Sequence, residues 1–438
     1  MRVDGWSQAE NMVRVNIPSV LKSFSIYRVP QHIRDCVDKK YYEPKVVSIG
    51  PYHHKEPHLR AMEERKHLYL QNFLQASKPL TTREDYVGCI RALEHTARAR
   101  YFESPVPELM SSDDFVEMLL LDGCFILQFF IEWFVSPHRD PIFKVDWMLP
   151  LLHNDLLMLE NQIPYDVLLA LYALYCRDPG RPTTPVPKKP LMAMIAEYFG
   201  KRQSLPMGRV DPSQEDRIDH LLHLFHCHFI TPPTVEEAPD APRPRRPPRP
   251  CPTSIPSARE LDLHGVTFQL RLERSNILDV TFRGGIFQIP LLTIEEPDCS
   301  RYMNLVAFEM SHHEVHKHLT SYVVLMDYLI DTPEDVLILK DRGILKSQMS
   351  SAHEVADFFN QLRHCSYINY EKHYLRRVYL DVDDYCSNKG HRTMATLRRN
   401  YLSNPWAVVG FVFAVLFACF TIFSTVISIM QTFFHLPK

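Results

Sequence analysis

Glycine is scarce in this sequence, with 13 residues in 438, whereas proline reaches 34. Folds that hold phosphate groups on glycine-rich loops are therefore disfavoured. The sequence also lacks a P-loop and the G-x-S-x-G pattern of a nucleophilic serine, so phosphoryl-transfer and serine-nucleophile enzymes have no support. Because no catalytic motif is present, we predict a protein without enzymatic activity and without a cofactor.

A strong charge excess of either sign is also missing. Lys and Arg number 49 against 52 Asp and Glu, which leaves a net charge of −3. A nearly neutral chain has no overall basic field, so we expect no nucleic-acid binding. Hydrophobic residues make up 45% of the chain, which is enough for a packed core and excludes a mostly disordered protein.

Neither the cysteines nor the N-terminus indicates secretion. The ten cysteines include no C-x-x-C pair, and several lie in apolar segments, as Cys124 does. This pattern is typical of buried thiols in a reducing compartment. Residues 1–6 lack the apolar core of a signal peptide, and the chain has no N-x-S/T glycosylation sequon. We therefore expect the bulk of the protein to face the cytosol.

One segment, residues 406–430, carries no charge and reads WAVVGFVFAVLFACFTIFSTVISIM. As a helix it would be about 37 Å long, enough to cross a hydrocarbon core of about 30 Å. We predict a transmembrane helix over residues 405–431 and a short tail over residues 432–438. The membrane-anchor residues are then Pro405, Trp406, Phe411, Phe413, Leu416, Phe420, Phe423, Ile427 and Met430.

A second apolar segment, residues 115–135, is nearly long enough to span a membrane. It contains Glu117, Asp122 and Glu132, and each of these would cost about 2.5–3.5 kcal/mol near the centre of a bilayer. We therefore predict that this segment is a helix buried inside the soluble body.

The charges beside the anchor predict its orientation. A cluster of basic residues precedes the anchor and only Lys438 follows it, and the more basic side stays in the cytosol. We predict a single-pass membrane protein whose large N-terminal part is cytosolic. A body displayed outside the cell is the alternative, which the missing signal peptide and sequons oppose. The juxtamembrane basic residues are Lys389, Arg392, Arg398 and Arg399.

Hydrophobic periodicity predicts an α+β fold: a predominantly α-helical soluble body with a small antiparallel β element, plus the C-terminal transmembrane helix. A serine and aspartate cluster that includes Ser111 is a good N-cap for the helix over residues 115–135, and Pro164 should break the next one. Helical patterns cover residues 56–76, 85–102, 115–135 and 149–175. β-like composition covers residues 266–272, 277–282 and 286–292, with Gly284 and Gly285 as a hairpin turn.

Proline-rich stretches predict the domain organisation. We predict a flexible lead over residues 1–25 and a single body over residues 26–404, with insertions at residues 177–190 and 231–256. The second insertion holds ten prolines interleaved with arginines, so it should be solvated and polyproline-like. It is either a passive surface insertion or a docking tract for a proline-recognising partner or for anionic lipid.

Several ordered strings resemble a known plant family. They include VSIGPYHH at residues 47–54, LDGCF at 121–125, DLLMLENQIP at 155–164 and NPW at 404–406. Together they are similar to the family called domain of unknown function 247, and the similarity runs from about Ile26 to the C-terminus. The resemblance implies a plant protein with one soluble region and a C-terminal membrane helix. Some grass members of the family are implicated as pollen-side determinants of self-incompatibility, so it also implies a recognition role, in self-incompatibility or in signalling.

The most suggestive acidic group lies in the apolar string DLLMLENQIP, which contains Asp155, Glu160 and Asn161. A buried carboxylate is normally hydrogen-bonded or paired, and burial raises its pKa. One interpretation is a buried polar network formed by Asp122, Asp155, Glu160 and Asn161, with Glu160 capping backbone groups or pairing with an arginine such as Arg98 or Arg100. The other is a general acid or a metal ligand.

Two histidine groups raise the question of a metal site. His312 and His316 are four residues apart, and a second group consists of His220, His223, His226 and His228. A zinc site needs four convergent ligands, or three with an open position. Neither group is accompanied by a paired cysteine motif, so we predict surface or loop histidines and no metal.

These observations favour a non-enzymatic, membrane-tethered interaction protein. Its partners would be the lipid bilayer, through the C-terminal helix, and a protein that the sequence does not identify. The alternative is an enzyme with a buried acidic site around Asp122 and Glu160. The kind of membrane and the oligomeric state stay open.

Overall fold

A computed structural model of the chain describes nine stretches of residues. In the last helix, side chains are described for residues 413–428 and 430. The stretches are residues 24–77, 81–102, 110–135, 140–176, 191–203, 217–230, 249–272, 276–388 and 405–434. Two compact units emerge, the first formed by Met1–Thr231 and Pro297–His316 and the second by Pro232–Glu296 and Lys317–Lys438. Residues 1–23 of the predicted lead, the insertion at 177–190, and residues 231–248 lie outside the described residues, so the predicted single body with two insertions stays a prediction.

The first unit is helical over its described residues. Short 3₁₀ turns at Lys39–Tyr41, Pro57–Leu59 and Pro141–Lys144 link some of its helices. The helices are α1 Gln31–Cys36, α2 Arg60–Ser77, α3 Arg83–Arg98, α4 Ser112–Val135, α5 Met148–Leu156, α6 Tyr165–Cys176, α7 Leu191–Gln203, α8 Leu221–Phe229 and α10 Glu296–Ser311.

Helix α4 forms the centre of the first unit. It packs against α2, α3, α6 and α7, and sixteen of its 24 residues are buried. It begins where Ser111 accepts a hydrogen bond from the Asp114 N–H at 3.1 Å, as the predicted cap requires. Among the helices whose side chains are described over 18 or more residues, α4 is the one apolar enough to cross a membrane, and 78% of its most apolar stretch is buried. The prediction of a helix buried in the body is confirmed.

Proline interrupts the apolar run after α4, as predicted. Helix α5 ends at Leu156, and α6 begins at Tyr165, immediately after Pro164. The residues between them form a buried loop, and Pro164 sets where α6 begins, because a proline ring cannot continue an α-helix from the preceding turn. This loop carries Glu160 and Asn161, both nearly inaccessible to solvent, and so positions the polar groups described below.

The second unit contains the β structure. Its strands are β1 Thr267–Arg271, β2 Thr281–Arg283, β3 Ile286–Pro290, β4 Leu292–Ile294 and β5 Leu345–Ser347. Strands β2 and β3 are antiparallel and joined at Gly284 and Gly285, whose φ angles of +58° and +85° suit glycine. The predicted hairpin is confirmed.

The prediction of a purely antiparallel element is wrong. Strand β1 lies on the other edge of β3 and runs parallel to it, and β4 pairs in parallel with β5. Composition and alternation indicate where strands lie, but a strand's direction depends on the route of the chain between strands.

The remaining helices of the second unit are α9 Ala258–Leu263, α11 His318–Leu329, α12 Pro333–Asp341, α13 Ala352–His364, α14 Arg376–Ser387 and α15 Pro405–Phe434. Helix α13 packs against α11 and α12, and α12 also contacts α9. Helix α15 has 30 residues and includes the whole predicted anchor over residues 405–431. The predicted basic residues Lys389, Arg392, Arg398 and Arg399 lie outside the described residues.

Candidate functional site

Asp155, near the end of α5, binds a distant stretch of backbone in the first unit. Its carboxylate is completely buried and accepts hydrogen bonds from the backbone N–H groups of Lys45, Val46 and Val47, at 2.9, 2.6 and 2.9 Å. Burial raises the pKa of Asp155 to about 6, although the three N–H donors oppose the rise. The carboxylate thus holds residues 45–47 in place.

Asn161 continues the attachment of the same backbone. Its side-chain oxygen accepts a hydrogen bond from the Ile49 N–H at 2.6 Å. Its NH₂ group donates to the carbonyl oxygens of Val47 and Asp155, at 3.0 and 2.8 Å. A buried amide that makes three of its four possible hydrogen bonds in this way ties two chain segments together.

Gly50 lets the backbone turn beneath this loop. Its φ angle is +76°, and a Cβ atom at this position would lie 2.4 Å from the carbonyl oxygen of Gln162. The Gly50 N–H donates to Asp122 at 2.8 Å. Two features therefore exclude any residue other than glycine at position 50: the positive φ angle and the clash with the Gln162 carbonyl oxygen.

Lys66 of α2 provides the charge opposite Asp122 of α4. Its ammonium group is fully buried and donates to Asp122 at 2.6 Å, to Glu63 at 2.5 Å and to the carbonyl oxygen of Ser48. Burial raises the pKa of Asp122 to about 6, while Lys66 opposes the rise. Buried charges of this kind are tolerated because each has a partner.

Glu160 is attached to a different segment, the chain before α1. One carboxylate oxygen accepts a hydrogen bond from the Val29 N–H at 2.6 Å and pairs with Arg34. The other lies 3.9 Å from the guanidinium of Arg28 and 3.7 Å from the ring of His53. The suggested partners Arg98 and Arg100 are wrong: these pair with Glu94, and with Asp166 and Asp219, respectively.

The structure thus brings together three of the four residues of the predicted network. Asp122, Asp155 and Asn161 all bind the backbone of residues 45–50, whereas Glu160 holds residues 28–34. Every one of these carboxylates is paired with groups of its own chain, which is the arrangement expected of a structural scaffold.

A second polar group lies in the same unit, between α8 and α10. His223 Nδ1 lies 3.2 Å from Asp219, and His226 Nε2 lies 2.9 Å from Glu309 of α10. His220 caps α8: its Nδ1 accepts from the His223 N–H at 3.2 Å, and its Nε2–H therefore donates to the Ser25 carbonyl oxygen at 3.0 Å.

The prediction of surface or loop histidines is wrong for this group. His220, His226 and His228 are 0%, 6% and 6% exposed, because the apolar residues between them draw α8 into the core. The four-residue spacing of His312 and His316 is not realised on one helix either, since α10 ends at Ser311. No group of three or more His, Cys, Asp or Glu residues in the described ranges is arranged to hold a metal ion.

Cys227, which no sequence motif indicates, lies between His226 and His228 in α8 and is exposed. Burial alone would raise the pKa of its thiol, but the imidazoles of His223 and His226 outweigh burial and bring the pKa to about 6. Burial alone would lower the pKa of His223, yet Asp219 and Cys227 raise it to about 9. The spacing of His223 and Cys227, one helical turn apart, is the sequence signal that could have revealed this group.

The second unit has a shallow cavity of 240 Å³ at α9 and α12. It is lined by Arg259, Asp262, Leu263, Glu334, Leu337 and Ile338. Ligand pockets usually enclose about 300–1,000 Å³ and bury most of the ligand. This open cavity is smaller and contains none of the buried acids described above.

Comparison with known proteins identifies relatives over nearly the whole chain. The profile of a family described as "DUF247: Plant protein of unknown function" matches residues 26–420. The UPF0481 protein At3g47200 of Arabidopsis thaliana is 30% identical over 429 residues, which cover 94% of this chain and 86% of that protein. The putative UPF0481 protein At3g02645 of the same plant is 23% identical over 480 residues, which cover 90% and 88%. No solved structure matches.

Proposed function

This chain belongs to the DUF247 family of plant proteins, and on that premise we propose that it is a non-enzymatic recognition protein anchored in a membrane by α15. The large N-terminal part would face the cytosol, where the anchor raises the local concentration of the body near its protein partner. Self-incompatibility and signalling are the two settings that the family resemblance offers for such recognition.

The observation that carries the proposal is the exposed apolar surface of α15. All of residues 413–428 are exposed, with Phe413, Phe417 and Phe420 at 68%, 73% and 70%, and none of these sixteen residues is charged. A helix that is apolar on every side is stable when it is buried in protein or in lipid, not in water. Its 30 residues would extend about 45 Å, enough to cross a bilayer with some tilt.

Three hydroxyl groups in the described part of α15 donate hydrogen bonds to backbone carbonyl oxygens of the same helix. Thr421 donates to the Phe417 carbonyl oxygen at 2.8 Å, and Ser424 and Thr425 donate to the Thr421 carbonyl oxygen at 2.9 and 2.7 Å. Hydrocarbon offers no hydrogen-bond partners, so a spanning helix must pair its polar groups internally. This pairing supports the assignment to a membrane.

The state of the buried acids supports a non-enzymatic body. A raised pKa such as that of Asp122 would suit a general acid, but that carboxylate is 2% exposed and already bound to Lys66 and Gly50. Asp155 is equally enclosed by backbone donors. An enzyme with its site around Asp122 and Glu160 is therefore the less supported alternative.

The membrane anchor and its orientation can be tested together. The full chain is expressed with a different tag at each end, and isolated membranes are extracted with alkali and treated with protease. The proposal expects the protein to stay in the pellet with only the C-terminal tag protected. Extraction of the intact protein by alkali would refute the anchor, and protection of the N-terminal tag would place the body outside the cytosol.

A matched pair of variants separates insertion from adsorption. Lysine in place of Phe417, Phe420 and Phe423 adds about 2.5–3.5 kcal/mol per residue to insertion, so this variant should become extractable. Leucine at the same three positions keeps the helix apolar and should stay in the pellet. Equal behaviour of the two variants would show that α15 does not enter the bilayer.

A further inference from the structure

Strand β1 is an open edge of the three-stranded sheet in the second unit. Strand β3 lies on one side of it, and no other described strand pairs with it. No described helix packs extensively against it either. The opposite edge, β2, has three residues and packs against α14, with the ring centroids of Phe282 and Tyr385 5.8 Å apart. Strand β1 is therefore the longer and more accessible edge of this sheet.

The hydrogen bonds to β3 show which backbone groups of β1 face away from the sheet. The Thr267 N–H donates to the Gly285 carbonyl oxygen at 2.8 Å, and the two strands run parallel from that point. In a parallel ladder every second residue directs its backbone groups to the neighbouring strand, so the odd-numbered residues of β1 bond to β3. The N–H and C=O groups of Phe268 and Leu270 point outward and have no partner among the described residues.

The edge also lacks the features that usually block pairing with another chain, such as a proline, a bulge or a central charge. Strand β1 contains no proline, and its one charged residue, Arg271, is at the last position. Its five residues align with β3 without a bulge. Leu272, which follows directly, is 87% exposed, more than any other large hydrophobic side chain described. An open edge beside an exposed leucine indicates a surface that another strand covers.

We propose that the strand that covers this edge is β1 of a second copy of the chain, paired antiparallel about a two-fold axis at Gln269. This register pairs all five residues of the strand. The outward-facing groups of Phe268 exchange two hydrogen bonds with those of Leu270 in the second copy. The two-fold axis repeats the exchange, so four hydrogen bonds form and the two sheets become one sheet of six strands.

The side chains are complementary in this register, because residues directly opposite each other in an antiparallel pair lie on the same face. Phe268 is 2% exposed on the core side of the sheet and meets Leu270 of the second copy there. On the other face Thr267 lies opposite Arg271 of the second copy, and the two Gln269 amides meet at the axis. Apolar side chains meet apolar ones and no like charges are opposed, so the edge is complementary to itself.

A disulfide at the two-fold axis tests the pairing. Five paired residues form a small interface, so the dimer is trapped covalently instead of being detected by its size. Gln269→Cys places two thiols in a pair without backbone hydrogen bonds, where the Cα atoms lie about 4.5 Å apart, a distance that a disulfide can bridge. Membranes containing the full-length variant are oxidised with copper phenanthroline, and the linked peptides are identified by mass spectrometry.

The matched control is Arg283→Cys, at an exposed position on the other edge of the same sheet. We expect a link between the two copies of residue 269 and no link between the two copies of residue 283. The unmodified chain shows which links the native cysteines form. Absence of the link at residue 269, or an equal yield at residue 283, would overturn the proposal.

Charge variants distinguish a second copy from a strand of another protein. Gln269 is exposed, so Gln269→Lys and Gln269→Glu should fold normally. Each variant alone places like charges at the axis, which should reduce co-purification of two differently tagged copies about twofold to fivefold. Co-expression of the two variants should restore it. No restoration would mean that another protein occupies the edge, and equal recovery in every combination would assign the association to another surface. Either result would refute self-pairing.

Pairing through β1 does not require the anchor, and the two can fail separately. Alkali extraction measures whether α15 is inserted, whereas the disulfide at residue 269 measures whether two β1 strands meet. If the protein is extracted by alkali, the same oxidation is performed on the extracted full-length chain.

Discussion

The ammonium group of Lys66 lies 2.6 Å from the carboxylate of Asp122, and neither side chain is more than 2% exposed. The pair connects α2 to the central helix α4, and Asp122 extends the link to the Gly50 N–H. Such a pair adds little net stability over an apolar pair of the same shape, but the loss of one member leaves a buried charge without its counterion.

Lys66→Met should therefore be strongly destabilising. We expect a loss of about 3–5 kcal/mol in the free energy of unfolding, measured by guanidinium titration of the detergent-solubilised protein. Arg83→Met is the control, since Arg83 pairs with Glu117 on the surface and should cost at most about 1 kcal/mol. A loss below 1 kcal/mol for Lys66→Met would mean that Asp122 is neutral in the folded protein.

Glu160→Gln tests the structural role of this carboxylate. The amide can still accept from the Val29 N–H, but it removes the charge opposite Arg34. We expect a loss of about 1.5–3 kcal/mol, the range of a hydrogen bond to a charged group, seen as a lower Tm. An unchanged Tm would count against the scaffold and favour the alternative of an acid retained for chemistry.

Gly50→Ala should destabilise the loop over residues 45–50. The added methyl group would lie 2.4 Å from the Gln162 carbonyl oxygen at a backbone φ of +76°, so we expect a cost above about 2 kcal/mol. Gly88→Ala inside α3 is the opposite case, because nothing lies within 4 Å of the new methyl group. The higher helix propensity of alanine should raise the free energy of unfolding by about 0.5–1 kcal/mol. Equal effects at the two glycines would contradict this account.

The pH dependence contributed by His223 should become visible only when Cys227 is removed. The pKa of His223 is about 9 in the folded protein, above the ordinary 6.5, so its stabilisation is complete below pH 6.5 and is lost as the pH approaches 9. The pKa of the Cys227 thiol is about 6, below the ordinary 9.0, so its contribution to stability rises over the same interval and offsets the decline. Unfolding free energies measured at intervals from pH 6 to 9 should therefore change little in the unmodified protein and should decline in Cys227→Ser. A decline of the same size in both proteins would assign it to other groups.

Local signals in the sequence were enough to locate most elements. The cap at Ser111, the break at Pro164 and the turn at Gly284 and Gly285 depend on neighbouring residues, so periodicity and turn chemistry could predict them. The parallel course of β1 could not be predicted, because it depends on the path of the chain around β3.

In the candidate site, too, features fixed by neighbouring residues could be predicted, and those fixed by distant residues could not. That Asp155 and Asn161 must be paired follows from their apolar surroundings, but their partners lie at residues 45–49, too distant for any local pattern. The group around Cys227 was missed because Glu309, which orients His226, lies 83 residues away on another helix. The four-residue spacing of His312 and His316 suggested a shared helical face instead, although α10 ends at Ser311, before both residues.

The attachment of residues 45–47 to Asp155 also determines the order of events during synthesis. These hydrogen bonds join residues 108 to 110 positions apart, and the bond from Asn304 to Tyr41 spans 263. At about 5–20 residues per second, residues 45–47 must wait about 5–20 s for their acceptor. The first unit cannot close until residues 297–316 have been made, after part of the second unit has left the ribosome. Helix α4 ends at residue 135 and its last packing partner, α7, ends at residue 203. Nascent chains should therefore expose the apolar surface of α4 for about 3–15 s, which makes chaperone binding to α4 the expected companion of translation.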